Sequence, residues 1–240
     1  MSPDQIRILH ITDPHLFADA DGSLRGTVTA TTLAAVLADV RERQWPADLV
    51  AMTGDLIQDD TEGAYRRFVD MLQPLGLPVH CVPGNHDVRH LMQDAVGTAP
   101  FHYCATVEIG SWLIIGIDSC IAGEAGGRVS DAEFERLGNA LTNSSAAHAI
   151  VCLHHPPVPV GSRWLDSVGL QESDAFLRSI AAFDKVRATV SGHVHQAVTE
   201  RRDGILVIAT PSTCRQFKPA SDEFAVDANP PGYRRILLHA

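Results

Sequence analysis

The stretch Val79-His80-Cys81-Val82-Pro83-Gly84-Asn85-His86-Asp87 decides how the chain is read. A short apolar run, Val79 to Val82, passes directly into a Pro-Gly turn that delivers an amide, an imidazole and a carboxylate in succession. The run has the length and composition of a buried strand. Polar groups gathered at its end belong to a site at the edge of a sheet rather than to a core. Other apolar runs in the chain end in the same style.

On the N-terminal side, Arg7 to Ile11 reads as a strand ending in Thr12-Asp13-Pro14-His15, where Pro14 biases Asp13 toward an extended backbone. A helix is expected from about Thr29 to Arg43, with Leu33, Val36, Leu37 and Val40 on one face. Asp48 to Met52 is a second strand, ending in Thr53-Gly54-Asp55. Thr61 to Leu72 is a second helix, with Tyr65, Phe68, Val69 and Leu72 as its apolar face, and Pro78 to Val82 is the third strand. The order βαβαβ predicts parallel strands joined by right-handed crossovers.

On the C-terminal side, Phe101 to Ile109 and Trp112 to Ile117 read as strands separated only by Gly110-Ser111, the spacing of a hairpin. A helix is expected from Ser130 to Leu141, with Ser130 as N-cap and Glu133 completing a capping box. Ala149 to Leu153 is a buried strand ending in His154-His155-Pro156-Pro157. A helix near Ser173 to Phe183 leads to the strand Ala188 to Val190, which ends in Ser191-Gly192-His193-Val194-His195. Strands Ala197 to Arg201, Ile205 to Ala209 and Tyr233 to Leu238 follow. The long loop from Pro211 to Gly232 suggests a functional segment, with Thr213, Gln216 and Lys218 as candidates to line a pocket. The expected fold is α/β, an α+β sandwich in which two mixed β-sheets pack face to face with helices outside, in one domain over residues 1–240.

Composition narrows the function. The chain has 240 residues, 45% of them hydrophobic, and a formal net charge of -10, which argues against a nucleic-acid or membrane-surface binder. An anionic small molecule remains compatible, because bound cations reverse the local field. The cysteines, Cys81, Cys104, Cys120, Cys152 and Cys214, are dispersed and form no Cys-x-x-Cys pair, which suits a reducing cytosol. No basic-then-apolar segment opens the sequence and no apolar run is long enough for a bilayer, so a cytoplasmic location is expected. No dedicated dimerisation helix is visible, which leaves the oligomeric state open.

The strand tips together offer Asp13, His15, Asp55, Asn85, His86, His154, His193 and His195. Nitrogen and carboxylate donors without sulfur suit Zn, Mn or Fe. There are too many for one four-coordinate ion, and they suit two ions sharing a carboxylate.

Asp13-Pro14-His15, Gly54-Asp55, Gly84-Asn85-His86-Asp87, His154 and Gly192-His193-Val194-His195 occur in an order that resembles the calcineurin-like metallophosphoesterases. Within that family the chain is most similar to the bacterial class III cyclic-nucleotide phosphodiesterases, through Gly54-Asp55-Leu56-Ile57-Gln58-Asp59, Pro211 to Phe217 and Pro231-Gly232-Tyr233-Arg234. The resemblance implies a four-layer αββα fold. It places one metal ion on Asp13, His15, Asp55 and His195, and a second on Asp55, Asn85, His154 and His193, with Asp55 bridging. Fe and Mn are the implied ions, with Mn/Mn or Zn as alternatives. Asn85 and His86 are expected to meet the substrate, and Asp55 and His86 to be the catalytic residues. The implied reaction is attack of a metal-bridging hydroxide on a small-molecule nucleotide, 3′,5′-cyclic AMP giving 5′-AMP, with His86 assisting the leaving group. A glycerophosphodiester is the competing substrate, and a non-catalytic metal-binding scaffold the competing class. One departure stands out: where the protein-phosphatase branch has an Asp that orients the catalytic His, this chain has Gln58, followed by Asp59. Which group supports His86 is left open.

Overall fold

The computed structural model describes residues 5–240. The N-terminal half alternates strands and helices: β1 (Gln5–Ile11), the short hairpin β2 (Ser23–Leu24) and β3 (Thr27–Val28), α1 (Thr29–Glu42), β4 (Leu49–Thr53), α2 (Glu62–Leu72), β5 (Val79–Val82), α3 (Arg89–Val96) and β6 (Phe101–Tyr103). Every residue of β4 is buried, which is why its sequence shows no alternation: both faces of a covered parallel sheet are apolar. β1, β4, β5 and β6 run parallel, as the βαβαβ order requires. Leu33 and Leu37 of α1, with Tyr65, Phe68 and Leu72 of α2, pack with Leu9, Ile11, Val50 and Met52 on the outer face of this sheet.

The strand expected from Phe101 to Ile109 divides in two. After β6 the chain turns at Cys104, whose φ of 43° lies in the left-handed region, and resumes as β7 (Thr106–Ile109) in a different sheet. The hydrogen bonds show the transfer. Cys104 N–H still donates to Cys81 of β5, whereas the Ala105 carbonyl already accepts from Gly116 of the next sheet. The second half comprises β8 (Trp112–Gly116), α4 (Asp131–Asn143), β9 (His148–Cys152), α5 (Arg163–Asp166), α6 (Ser173–Ala181), β10 (Val186–Ser191), β11 (Val198–Arg202), β12 (Ile205–Ala209) and β13 (Arg234–His239). β7 and β8 form the expected hairpin, and β13 returns to the first sheet, antiparallel to β1. The strand orders are β13-β1-β4-β5-β6 and β11-β12-β10-β9-β8-β7.

The inner faces meet through Ile8, Leu49, Ala51 and Val82 from one sheet and Ile114, Ile150, Val190 and Ile208 from the other. α4 and α6 cover the outer face of the second sheet through Leu137, Leu141, Phe176, Leu177 and Ile180. The layers are therefore helix, sheet, sheet, helix, as expected. Ser130 caps α4 by accepting from Glu133 N–H at 3.2 Å. The capping box does not close, because the Glu133 carboxylate accepts from Asp118 N–H and pairs with Arg136 instead.

The parallel strands of both sheets point their C-terminal ends at one seam, where loops from each are hydrogen-bonded together. Asp13 N–H donates to Gly54, Gly192 N–H to His154, and Thr213 N–H to Thr12. Asp87 ties two of these tips: its carboxylate accepts from Gly84 N–H (2.9 Å), Leu56 N–H (3.1 Å) and the Tyr65 hydroxyl (3.0 Å). Burial and then the neighbouring Asp55 charge push its carboxyl up to about 7, against those donors. Asp87→Asn would turn an amide N–H₂ toward at least one backbone N–H. The expected loss is about 1–3 kcal/mol of unfolding free energy, read by urea or thermal denaturation.

Candidate dinuclear metal centre

The ligand-type residues anticipated at the strand tips are brought together. Asp13 and His15 follow β1, Asp55 follows β4, Asn85 and His86 follow β5, His154 follows β9, and His193 and His195 follow β10. All but Asn85 and His86 are buried. Asp13, His15, Asp55, His193 and His195 have φ between 47° and 67°. Left-handed backbone costs a non-glycine residue roughly 1–2 kcal/mol, so five such residues at one seam mark a place held against local preference. The extended backbone that Pro14 suggested for Asp13 is overridden: its φ is 51°, and its N–H and carboxylate are each fixed by bonds to other loops.

Two close approaches demand glycine. A Cβ on Gly84 would fall against Asp55 Oδ1 and the Asp55 backbone nitrogen, and one on Gly192 against Thr12 Oγ1 and Asp13 Oδ2. The two carboxylates are packed directly against backbone.

The hydrogen bonds set each imidazole's tautomer. His154 Nδ1–H donates to the Thr53 carbonyl (2.7 Å) and His193 Nε2–H to the Val168 carbonyl (3.0 Å), which leaves His154 Nε2 and His193 Nδ1 as bare lone pairs. These lie 3.2 Å apart, and Asn85 Oδ1 is 3.1 Å from each. His195 Nδ1–H donates to the Arg215 carbonyl (2.6 Å) and His15 Nδ1–H to Gln58 Oε1 (2.9 Å), so His15 Nε2 and His195 Nε2 face each other bare at 3.1 Å. Asp13 Oδ1 is 3.4 Å from His195 Nε2. Converging lone pairs in a buried site repel one another unless a cation lies between them, so this donor set fits metal ions and fits little else. Asp55 Oδ2 stands between the two groups, 3.6 Å from His15 Nε2 and 3.5 Å from His154 Nε2.

The charges of the cluster follow from the same packing. Burial raises the Asp13 carboxyl, but the imidazoles of His195, His154 and His15 outweigh it and hold the group below its usual range. Asp55 is lowered in the same way, against burial, by His154, His15 and His86. Burial takes His15 down to about 4, and burial with His155 and His154 takes His193 well below its usual value. For His154 the Asp55 and Asp13 charges reverse the effect of burial, and it is raised. Beneath the site a neutral chain braces Asp13. Thr12 Oγ1–H donates to Asp13 Oδ2 (2.6 Å) and Thr53 Oγ1–H to Thr12 Oγ1 (2.8 Å). His10 lies between Thr53 Oγ1 (2.9 Å) and Thr210 Oγ1 (2.7 Å). Each hydroxyl has one proton, so His10 donates from Nε2, and burial keeps it neutral with its pKa lowered to about 3.

The support of His86 is settled by Gln58. With its oxygen taken by His15, the amide turns its N–H₂ to His86 Nδ1, 3.2 Å away. Asp59 is engaged elsewhere, accepting from Ala18 N–H and the Thr61 hydroxyl. Of the pocket candidates, Thr213 is buried with its N–H bonded to Thr12, while Gln216 braces Ser212 and Pro230 and lines a neighbouring cavity that also reaches His195. Lys218 is exposed and outside the cleft. Their neighbours Arg215 and Phe217 line it instead, in a cleft of about 360 Å³ shared with Arg25, Trp164 and Phe224, none of which the sequence reading singled out. Their spacing along the chain carries no period that would have flagged them. His155 packs behind the site, its ring nitrogens bonded to Ser119 Oγ and the Ala125 carbonyl.

Residues 6–197 match the calcineurin-like phosphoesterase family. The whole chain is 39% identical to a Vibrio vulnificus protein named 3′,5′-cyclic adenosine monophosphate phosphodiesterase CpdA, covering 88% of that protein. An Escherichia coli K12 protein of the same name is 37% identical over 98% of this chain and 86% of its own length. Among solved structures, a dimetal phosphatase from Danio rerio superposes with a TM-score of 0.69 at 17% identity, covering 98% of each chain, and supports the fold.

Elemental analysis after gentle purification or reconstitution should find about two divalent ions per chain. Asp55→Ala, which removes the group between the two donor sets, should lower both. Gly84→Ala, which displaces that carboxylate without deleting it, should lower the content as well. Unchanged metal in both variants would contradict the shared position of Asp55.

Proposed function

The chain belongs to the calcineurin-like phosphoesterase family, and on that premise we propose that it hydrolyses 3′,5′-cyclic AMP to 5′-AMP at the seam between its two sheets. The observation that carries this reading is the placement of Asp55 Oδ2 between two sets of bare imidazole lone pairs, with His86 beside His15 and Asp55 and its Nδ1 taken by Gln58. Asp13, His15, Asp55 and His195 would hold one ion, and Asp55, Asn85, His154 and His193 the other. Nitrogen and oxygen donors without sulfur support Fe and Mn, with Mn/Mn or Zn as alternatives. When bound, such a pair supplies a water-derived nucleophile at neutral pH and neutralises charge on the phosphoryl oxygens. The CpdA names of the relatives support the cyclic nucleotide as the substrate.

The chain's own residues do the rest. Asp55 Oδ1 accepts from His86 N–H at 2.9 Å, so the bridging carboxylate also fixes the backbone of the catalytic histidine. The His86 ring stands edge-on to His15, with centroids 5.1 Å apart. Because Gln58 donates to Nδ1, the His86 proton sits on Nε2, where it can bond the departing ribose oxygen as charge develops there. A carboxylate in place of Gln58 would hold the proton on Nδ1 instead. Arg25 and Arg215 at the cleft add positive charge for an anionic substrate in a chain of net charge -10.

We read residues 1–240 as one catalytic domain and place it in the cytoplasm. Five free cysteines support a reducing compartment. No helix among the described residues is long and apolar enough to cross a membrane.

Chromatography of products from Mn-loaded protein tests the substrate: 5′-AMP alone should form from cyclic AMP. Cleavage of glycerophosphodiesters with no AMP formed would overturn the reading. His86→Ala should slow cyclic AMP hydrolysis by about 10²–10⁴ while harming an activated nitrophenyl diester much less, because a nitrophenolate leaves without a proton. Equal losses on both substrates would place the His86 proton on a phosphoryl oxygen instead.

A further inference from the structure

The metal donors are continuous with an aromatic wall that the hydrolytic chemistry does not use. Phe217 lies flat on His195, with centroids 4.1 Å apart and planes at 10°. Trp164 meets Phe217 edge-on at 5.0 Å, and Phe224 meets Phe217 at 5.5 Å and Trp164 at 5.2 Å. The wall thus runs from a candidate metal ligand to the mouth of the cleft in ring-to-ring steps. Trp164 Nε1–H is buried in this wall without a partner, an unmet donor where nearly all such groups are paired.

Phe224, at the outer end, is 42% exposed. An exposed apolar ring alone needs no explanation. This one is covered on its face by the Arg25 guanidinium, 4.3 Å from the ring centroid. Arg25 sits at the tip of the β2–β3 hairpin, in a two-residue turn where Arg25 has φ 50° and Gly26 φ 82°. A turn with both central residues left-handed favours Asn, Asp or Gly at that first position, so Arg25 stands there against the turn's own preference. Phe224 comes from the loop between β12 and β13. Two segments far apart in sequence therefore bring a planar cation onto an aromatic face at the mouth of a phosphoryl site.

We propose that Phe224 and Arg25 are the two jaws of a nucleobase clamp. The base stacks on the Phe224 face in place of the guanidinium, with Trp164 and Phe217 as the floor, and Arg25 restacks on the outer face of the base. Stacking of this kind accepts any flat base, so the clamp supplies affinity for a nucleoside monophosphate rather than a choice among bases. It rests on the cyclic-nucleotide reading of the site, but its test is separable from that reading.

The test is binding of 5′-AMP against ribose 5-phosphate, in which the anomeric hydroxyl replaces the base, to the metal-loaded protein. Two readouts apply: tryptophan fluorescence, to which Trp164 contributes beside Trp45 and Trp112, and competitive inhibition of bis(4-nitrophenyl) phosphate cleavage. In the wild type 5′-AMP should bind about tenfold or more tightly than ribose 5-phosphate. Phe224→Ala should bring that ratio to about one to two, Arg25→Ala should lower it severalfold, and Phe224→Tyr should preserve it, as one stacking face replaces another. A wild-type ratio near one, or a ratio unmoved by Phe224→Ala, overturns the clamp even if cyclic AMP is a good substrate. A ratio that collapses in Phe224→Ala supports the clamp even if cyclic AMP proves not to be hydrolysed, in which case only the substrate reading fails.

Discussion

Two buried carboxylates set the terms for this molecule. Asp13 and Asp55 are almost wholly removed from water, at 0% and 2% exposure, and are ringed by imidazoles whose lone pairs face inward. Without compensation such a cluster is expensive to bury, and neighbouring lone pairs make it worse. Cations between them turn the same arrangement into a stabilised one. Binding of metal and folding of the seam are therefore linked, because the unfolded chain cannot present these donors together.

The architecture serves that seam. Parallel strands in both sheets end on the same side, and the sheets pack so that tips from β1, β4 and β5 meet tips from β9 and β10. No single strand end carries enough donors, so the site exists only when both sheets are assembled. The loops that carry the donors are bonded to one another by backbone, and the hydrogen bonds behind each imidazole fix which nitrogen faces inward. Gln58 extends this logic outside the candidate metal donors. By accepting from His15 and donating to His86, it makes the tautomer of one ring depend on that of the other.

Much of this was legible in the sequence because buried parallel strands leave an unmistakable trace: a short apolar run followed at once by Gly, Asp, Asn or His. The βαβαβ order, the Gly110-Ser111 hairpin and all eight tip residues came from that trace. What escaped had no local signal. The break at Cys104 lies within a run of ordinary strand formers, and only the transfer of hydrogen bonds from β5 to β8 reveals it. α3 has just Met92 and Val96 buried, too few to show a helical period. The backbone of Asp13 followed its tertiary partners rather than the bias of Pro14. Arg25 comes from a hairpin turn, Trp164 from α5 and Phe224 from the loop between β12 and β13, and convergence of that kind is written in the fold and not in spacing.

The central claim is that the Asp55 carboxylate would be shared by two metal ions, each held by donors from both sheets. The most direct measurement is the electron paramagnetic resonance spectrum of the Mn-reconstituted protein. A shared carboxylate predicts an exchange-coupled pair, with hyperfine lines at half the mononuclear spacing, that is lost in Asp55→Ala. A spectrum of isolated Mn ions at full occupancy, unchanged by that substitution, would contradict the account.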